Sequence, residues 1–215
     1  CGMSLHNKDI RSFGNVPIGV SAIESAMPDY NFIQNKICSM EHNGQLIRLR
    51  RGLYVQPPSV TGKIISLELV ANHIYSPSYV TGLYALRYYG LIPELVYTVT
   101  SATTGLSKRF VNKLGTFEYR RFASDYYHIG IRIQDGDGCS FLIASPEKAL
   151  CDLICMTSHL NLRYMRETMA YLEEDLRFDM DAFWGMDKSI FEQCVQVGAK
   201  RTMIGNLIKL IERNG

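Results

Sequence analysis

The stretch Gln45–Val55, QLIRLRRGLYV, decides how the first part of the chain folds. Ile47 and Leu49 alternate with Arg48 and Arg50, the period of two of a strand with one apolar face. Arg51-Gly52 then marks a turn, and Leu53, Tyr54 and Val55 resume a run of strand formers. The stretch therefore reads as a tight β-hairpin with three arginines in four positions. By themselves such arginines are solvated charges that guard an open sheet edge. What precedes the hairpin gives them a second meaning.

Residues 4–13 read as a short helix anchored by Leu5 and Ile10. Pro17 suits the start of a second helix, in which Val20, Ile23 and Met27 share a face, and Pro28 stops it. Asp29 is an N-cap residue type for a third helix with an apolar stripe of Phe32, Ile33, Ile37 and Met40. Its opposite face carries Asn31, Gln34, Asn35 and Cys38, with Lys36 alongside, and Asn43-Gly44 ends it.

Three helices and a hairpin within 55 residues are the layout of a winged helix-turn-helix. The third helix would enter the major groove, where Asn and Gln pair with adenine edges. Asn31, Gln34, Asn35 and Lys36 are its candidate DNA contacts, and Arg48, Arg50 and Arg51 the candidate phosphate contacts of the wing. Arg48 and Arg50 share one strand face, while Arg51 shapes the turn. The same layout also serves as a protein-interaction module that does not touch DNA.

Gln56-Pro57-Pro58-Ser59 punctuates the chain and divides it into residues 1–57 and 58–215. Helices are expected over 64–75 and, after Ser76-Pro77-Ser78, over 79–89, with Gly90 as the stop signal. Five strands follow at 95–102, 108–112, 116–122, 127–133 and 139–144, with a hairpin turn at 134–138. Ser145-Pro146 opens a helix over 147–157, Asn161 caps another, and 188–197 and 200–213 complete the chain. The expected fold is α+β: an N-terminal winged helix-turn-helix, then a mixed domain with a small antiparallel sheet and a helical C-terminal part. Lys108, Arg109, Lys113, Arg120 and Arg121 form a second basic group around two of the strands. It reads either as exposed strand ends or as a further contact for DNA or an acidic partner.

Composition narrows the function classes. Of 215 residues, 47% are hydrophobic and 20% charged, as in an ordinary globular protein. No apolar run approaches the roughly 18–20 residues of a membrane helix, and the first residues lack the layout of a signal peptide. Cys1-Gly2 precede Met3 and read as an expression remnant. Six scattered cysteines and five histidines lack metal spacing and read as free thiols and isolated imidazoles in a reducing cytoplasm, with no metal and no cofactor. The net charge of +2 is uneven: the first 135 residues sum to +5 and the remainder to −3, a gradient suited to a nucleic-acid face in the first part. Gly105-Leu106-Ser107-Lys108 lacks the earlier glycine of a phosphate loop, and Asp135–Gly138 has Pro146 where a calcium loop needs Glu. No Gly-x-Ser-x-Gly, His-Glu-x-x-His or Glu-x-Lys triplet occurs, so no catalytic residue is assigned and the chain is not expected to be an enzyme.

Arg50–Val55, SPSYVTGLYALRYYGLIPE (76–94), TSATTGLSKRFVNKLGTFEYRRF (100–122) and ASPEKALCDLI (144–154), in this order, resemble the AbiEi-type antitoxin and transcriptional-regulator family of bacterial abortive-infection systems. The likeness runs from about residue 18 to 157, and segments 76–94 and 144–154 are its most specific parts. It implies a winged-helix domain followed by an antitoxin domain. It also implies a cytoplasmic phage-defence protein that binds inverted repeats in its own promoter, represses its operon and counteracts a nucleotidyltransferase-like toxin. That mode is type IV, in which no stable toxin complex forms. The N-terminal helices match the family in layout rather than in residues.

Overall fold

A computed structural model describes residues 10–136 and 138–214. Among them the fold is mixed α+β, with eleven α-helices, a small antiparallel sheet of three strands and a larger mixed sheet of six. Most of the first expected helix, and Asp137 of the expected turn, lie outside these residues. Of that helix, Ile10–Phe13 forms one 3-10 turn.

The chain then runs through β1 (Ile18–Gly19), α1 (Val20–Ala26), α2 (Ile33–His42), β2 (Ile47–Arg50) and β3 (Leu53–Val55). The three strands lie in the order β1-β3-β2, all antiparallel. Gly52 closes the β2–β3 turn at φ +78°, a conformation that costs glycine nothing and other residues strain. Ile10, Ile18, Ile23, Ala26, Ile37, Met40, Leu46 and Tyr54 make the core beneath α1 and α2. The helix after Pro17 begins only at Val20, because Ile18 and Gly19 are drawn into pairing with Tyr54 and Leu53. Asp29 does not cap α2: Phe32 holds the N-cap position and, at 77% exposed, leaves the apolar stripe that Ile37 and Met40 continue.

The second sheet was expected to be small and antiparallel, and it is neither. After α3 (Pro58–Thr61) and α4 (Leu67–Ile74) come β4 (Ser78–Val80), α5 (Gly82–Tyr88), β5 (Thr98–Thr103), β6 (Lys108–Asn112) and β7 (Gly115–Arg121). The short α6 (Ser124–Tyr127) leads to β8 (Ile131–Gly136), β9 (Cys139–Ala144) and α7 (Pro146–Met156). The strand order is β6-β7-β5-β4-β9-β8, with β7 parallel to β5 and β4 parallel to β9. The parallel pairs arise because β7 folds back into the gap between β5 and β6, and because β4 occupies the sheet's interior. Ser78-Tyr79-Val80 was expected to open a helix; all three are buried and pair with Thr103, Ala102 and Ser101 instead. Gly82, at φ +63°, starts the helix three residues late.

Helices cover both faces of this sheet. The Tyr119 hydroxyl reaches the Ala71 carbonyl of α4 at 2.6 Å, and Tyr79 reaches α7 through Asp152. The C-terminal part is α8 (Met165–Ala170), continued by a π-helical turn (Tyr171–Asp175), then α9 (Met180–Trp184), α10 (Lys188–Val197) and α11 (Arg201–Asn214). Asn161 caps nothing: Glu167 accepts from the Arg163 and Tyr164 backbone N–H groups and sets the start of α8. No helix among the described residues is long and apolar enough to cross a membrane.

The β2–β3 hairpin belongs to both cores. Tyr54 packs under α1 and α2, whereas Leu49, Leu53 and Val55 join the large core with Ile74 and Phe117. The period-two alternation of strand side chains divides β3 between two interiors.

Candidate nucleic-acid interface

Helix α2 turns Ile37 and Met40 inward, and the 3.6-residue period turns Gln34, Asn35, Cys38, Ser39 and His42 outward. Gln34 and Asn35 lie in its first turn, and Asn31 is exposed just before it. The Lys36 ammonium lies 4.9 Å from the centre of the Tyr30 ring, so this cation rests on an aromatic face. The amides and Lys36 thus occupy one end of α2, beside the exposed Phe32 ring.

The three hairpin arginines have separate environments. Arg48 pairs with Glu41 of α2 at 2.8 Å and lies over the Tyr54 ring at 5.7 Å. Tyr54 first, and then the Glu41 carboxylate, raise its pKa. The pair fastens β2 to the end of α2. A bulge follows Arg48, so that Arg48 opposes Tyr54 and Arg50 opposes Leu53. Arg50 turns toward the large sheet, where its Nε donates to the Ile74 carbonyl at 2.8 Å and its Nη1 to the Arg51 carbonyl at 3.2 Å. The bulge thus breaks the strand face that Arg48 and Arg50 were expected to share, and they have no common partner. Arg51 is exposed at the turn.

Strand alternation splits the second basic group in the same way. Arg109 and Arg120 lie on one face, and both reach Glu118, at 3.5 and 3.3 Å. Lys108 pairs across the strands with Tyr119 on the opposite face, and its ammonium sits 4.5 Å from the centre of the Tyr75 ring. Lys113 lies in the β6–β7 turn, and Arg121 ends β7, where its backbone N–H donates to Ser107 Oγ at 3.0 Å. Lys108 stands where two clefts meet: a smaller one of about 310 Å³ that it lines with Arg109, Glu118 and Arg120, and another that it lines with Arg50 and Arg51. The second cleft, of about 520 Å³, lies between the hairpin and the edge of the six-stranded sheet and is also lined by His73, Tyr75 and Phe110. Among the described residues no carboxylate lines it.

A buried polar centre went unseen in the sequence. Lys148 and Asp152, one turn apart on α7, are both fully buried. Asp152 also accepts from Tyr79 at 3.0 Å and Thr81 at 2.7 Å, and the Lys148 ammonium donates to the Tyr126 carbonyl at 2.9 Å. Burial, with Asp152 second, holds the Tyr79 phenol protonated far above its usual range. The legible signal was the i, i+4 spacing of opposite charges behind the Ser145-Pro146 cap. Cys151 and Cys194 are buried free thiols, and burial pushes the half-buried Cys155 thiol up to about 11. Among the described residues no three His, Cys, Asp or Glu side chains are placed to hold a metal ion.

These features describe exposed amides on α2, a cationic cleft between the hairpin turn and β6, and a sealed polar centre on α7. No protein-family model matches the chain, and no curated protein matches it either.

Proposed function

We propose that the chain is a DNA-binding autorepressor and antitoxin of a type IV toxin–antitoxin system, with residues 10–55 acting as a winged helix-turn-helix. The observation that carries this reading is the sheet order β1-β3-β2 wrapped around α1 and α2. In this order α2 is the recognition helix and β2–β3 the wing. The exposed amides of Asn31, Gln34 and Asn35 then read base edges, and Lys36, Arg48, Arg50 and Arg51 neutralise phosphates. The antitoxin half rests on the resemblance carried by segments 76–94 and 144–154. No enzymatic step and no cofactor enters this reading.

A gel shift against the region upstream of the operon, run over a salt series, tests the DNA half. A sequence-selective shift whose affinity falls with salt supports it; no selective shift at any salt overturns it. Co-expression with the neighbouring gene tests the antitoxin half, which fails if a toxic neighbour is not rescued.

A second reading, a protein-interaction module, is favoured by one observation: Phe32 stands 77% exposed at the start of α2, with Tyr30 close by in sequence and also exposed. Exposed aromatics of this kind anchor protein interfaces. Under that reading Phe32→Ala abolishes partner capture, and replacing Gln34 and Asn35 by Ala changes no DNA affinity.

A further inference from the structure

The cations near the hairpin differ in one respect that the sequence does not show. Arg48 is matched by Glu41, and Arg109 and Arg120 by Glu118. Arg50, Arg51 and Lys108 have no carboxylate partner among the described residues, and they converge on the same cleft.

Two of the three are held in place. A guanidinium has five N–H donors. Two of Arg50's are bound by the Ile74 and Arg51 carbonyls, which fix the plane of the fork and leave the others without a partner among the described residues. The Lys108 ammonium rests on the Tyr75 ring, whose own position is fixed by edge contact with Tyr119 at 5.3 Å and by a bond from the Leu106 N–H to its hydroxyl. An aromatic face orients an ammonium without consuming its three N–H donors. Pre-oriented cationic donors whose charge no ion pair among the described residues consumes suit an anion with several acceptor oxygens.

We propose that the cleft between the hairpin turn and β6 is a phosphate-binding site, built jointly by Arg50 and Arg51 from one side and Lys108 from the other. The phosphate belongs either to a nucleic-acid backbone or to a free phosphorylated ligand. In the first case the site deepens the DNA reading and rests on it, carrying the contact from the wing onto the six-stranded sheet.

Inorganic pyrophosphate is the probe, titrated calorimetrically into the full chain. Arg51→Ala with Lys108→Ala, both at exposed positions, should weaken its binding about tenfold or more. Arg109→Ala with Arg120→Ala, which removes equal charge from the opposite face, should change it less than about twofold. Absence of pyrophosphate binding, or equal weakening in both variants, overturns the proposal. Circular dichroism establishes that each variant is folded. The upstream DNA then distinguishes the sources. If DNA is the source, pyrophosphate competes with it, and the Arg51/Lys108 variant loses about 0.9 of salt slope per lost phosphate. If the ligand is free, competition and slope stay unchanged. Failure of the unaltered chain to bind DNA removes the DNA reading and leaves the pyrophosphate comparison standing.

Discussion

Lys148 Nζ lies 3.0 Å from Asp152 Oδ1 in an ion pair whose two side chains are fully buried. Tyr79 and Thr81 close one side of the carboxylate, and the ammonium sits 3.1 Å from the centre of the Tyr126 ring. The pair ties α7 to β4 and to α6. Asp152→Ala strands a buried cation and should cost about 3–5 kcal/mol. Replacing Lys148 and Asp152 together by Met and Leu should recover most of that loss, because no charge is left unpaired. Urea unfolding of the three proteins measures both effects.

Gly130 protects the same region. It adopts φ +60°, its carbonyl accepts the Ser145 N–H at 2.7 Å, and a methyl group there would approach Lys148 Cβ to 2.9 Å. Gly130→Ala combines left-handed backbone strain with overpacking and should destabilise the fold by about 2–4 kcal/mol. A thermal melt that moves by less than a degree or two would contradict this.

Alkaline pH should unfold the protein by a defined route. Burial raises the pKa of Tyr79, Tyr84, Tyr119 and Tyr126, with Asp152 the second cause for Tyr79 and Tyr126 and Glu68 for Tyr84. An unfolded tyrosine loses its proton near about 10. Below that pH both states are protonated, and these groups leave stability unchanged. Above it the folded state binds more protons than the unfolded one, so stability falls as pH rises. The urea midpoint should drop from about pH 10 upward, with tyrosinate absorbance rising in step with unfolding.

The Glu41–Arg48 contact competes with DNA in the proposed complex. Glu41→Gln leaves Arg48 at the junction of α2 and β2 but removes its counter-charge. DNA affinity at low salt should rise by up to about fivefold, while stability falls by less than about 1 kcal/mol. Unchanged affinity in a fluorescence anisotropy titration would remove Arg48 from the contact set.

Gln34→Ala and Asn35→Ala test base reading. Each should cost about 1–3 kcal/mol against the preferred site and leave the salt slope intact. An equal loss against unrelated DNA would make these residues general contacts rather than readers.

Local signals were legible where the chain settles its own structure. Lys108–Asn112, Cys139–Ala144 and Lys188–Val197 match their expected bounds, and Ser145 caps α7 as its type and its neighbour Pro146 indicate. Ser78–Val80 was not legible, because three residues are too few to establish a period and the helix signals after them are strong. The parallel pairings β4–β9 and β5–β7 join segments far apart in the chain or separated by another strand, and no local pattern encodes them. The basic residues were visible one by one. Their sorting into paired and unpaired cations follows from strand parity and one bulge, both fixed only on folding.

Strand β3 has no solvent side. Tyr54 completes one interior, while Leu53 and Val55 complete the other. A fragment ending at Gln56 would therefore carry Leu49, Leu53 and Val55 as a bare oily stripe. The remainder of the chain, cut at the same point, would begin with a matching wound. Through Leu49, Leu53 and Val55 the hairpin is seated in the large core, and the Glu41–Arg48 pair hands any tilt of the hairpin on to the end of α2.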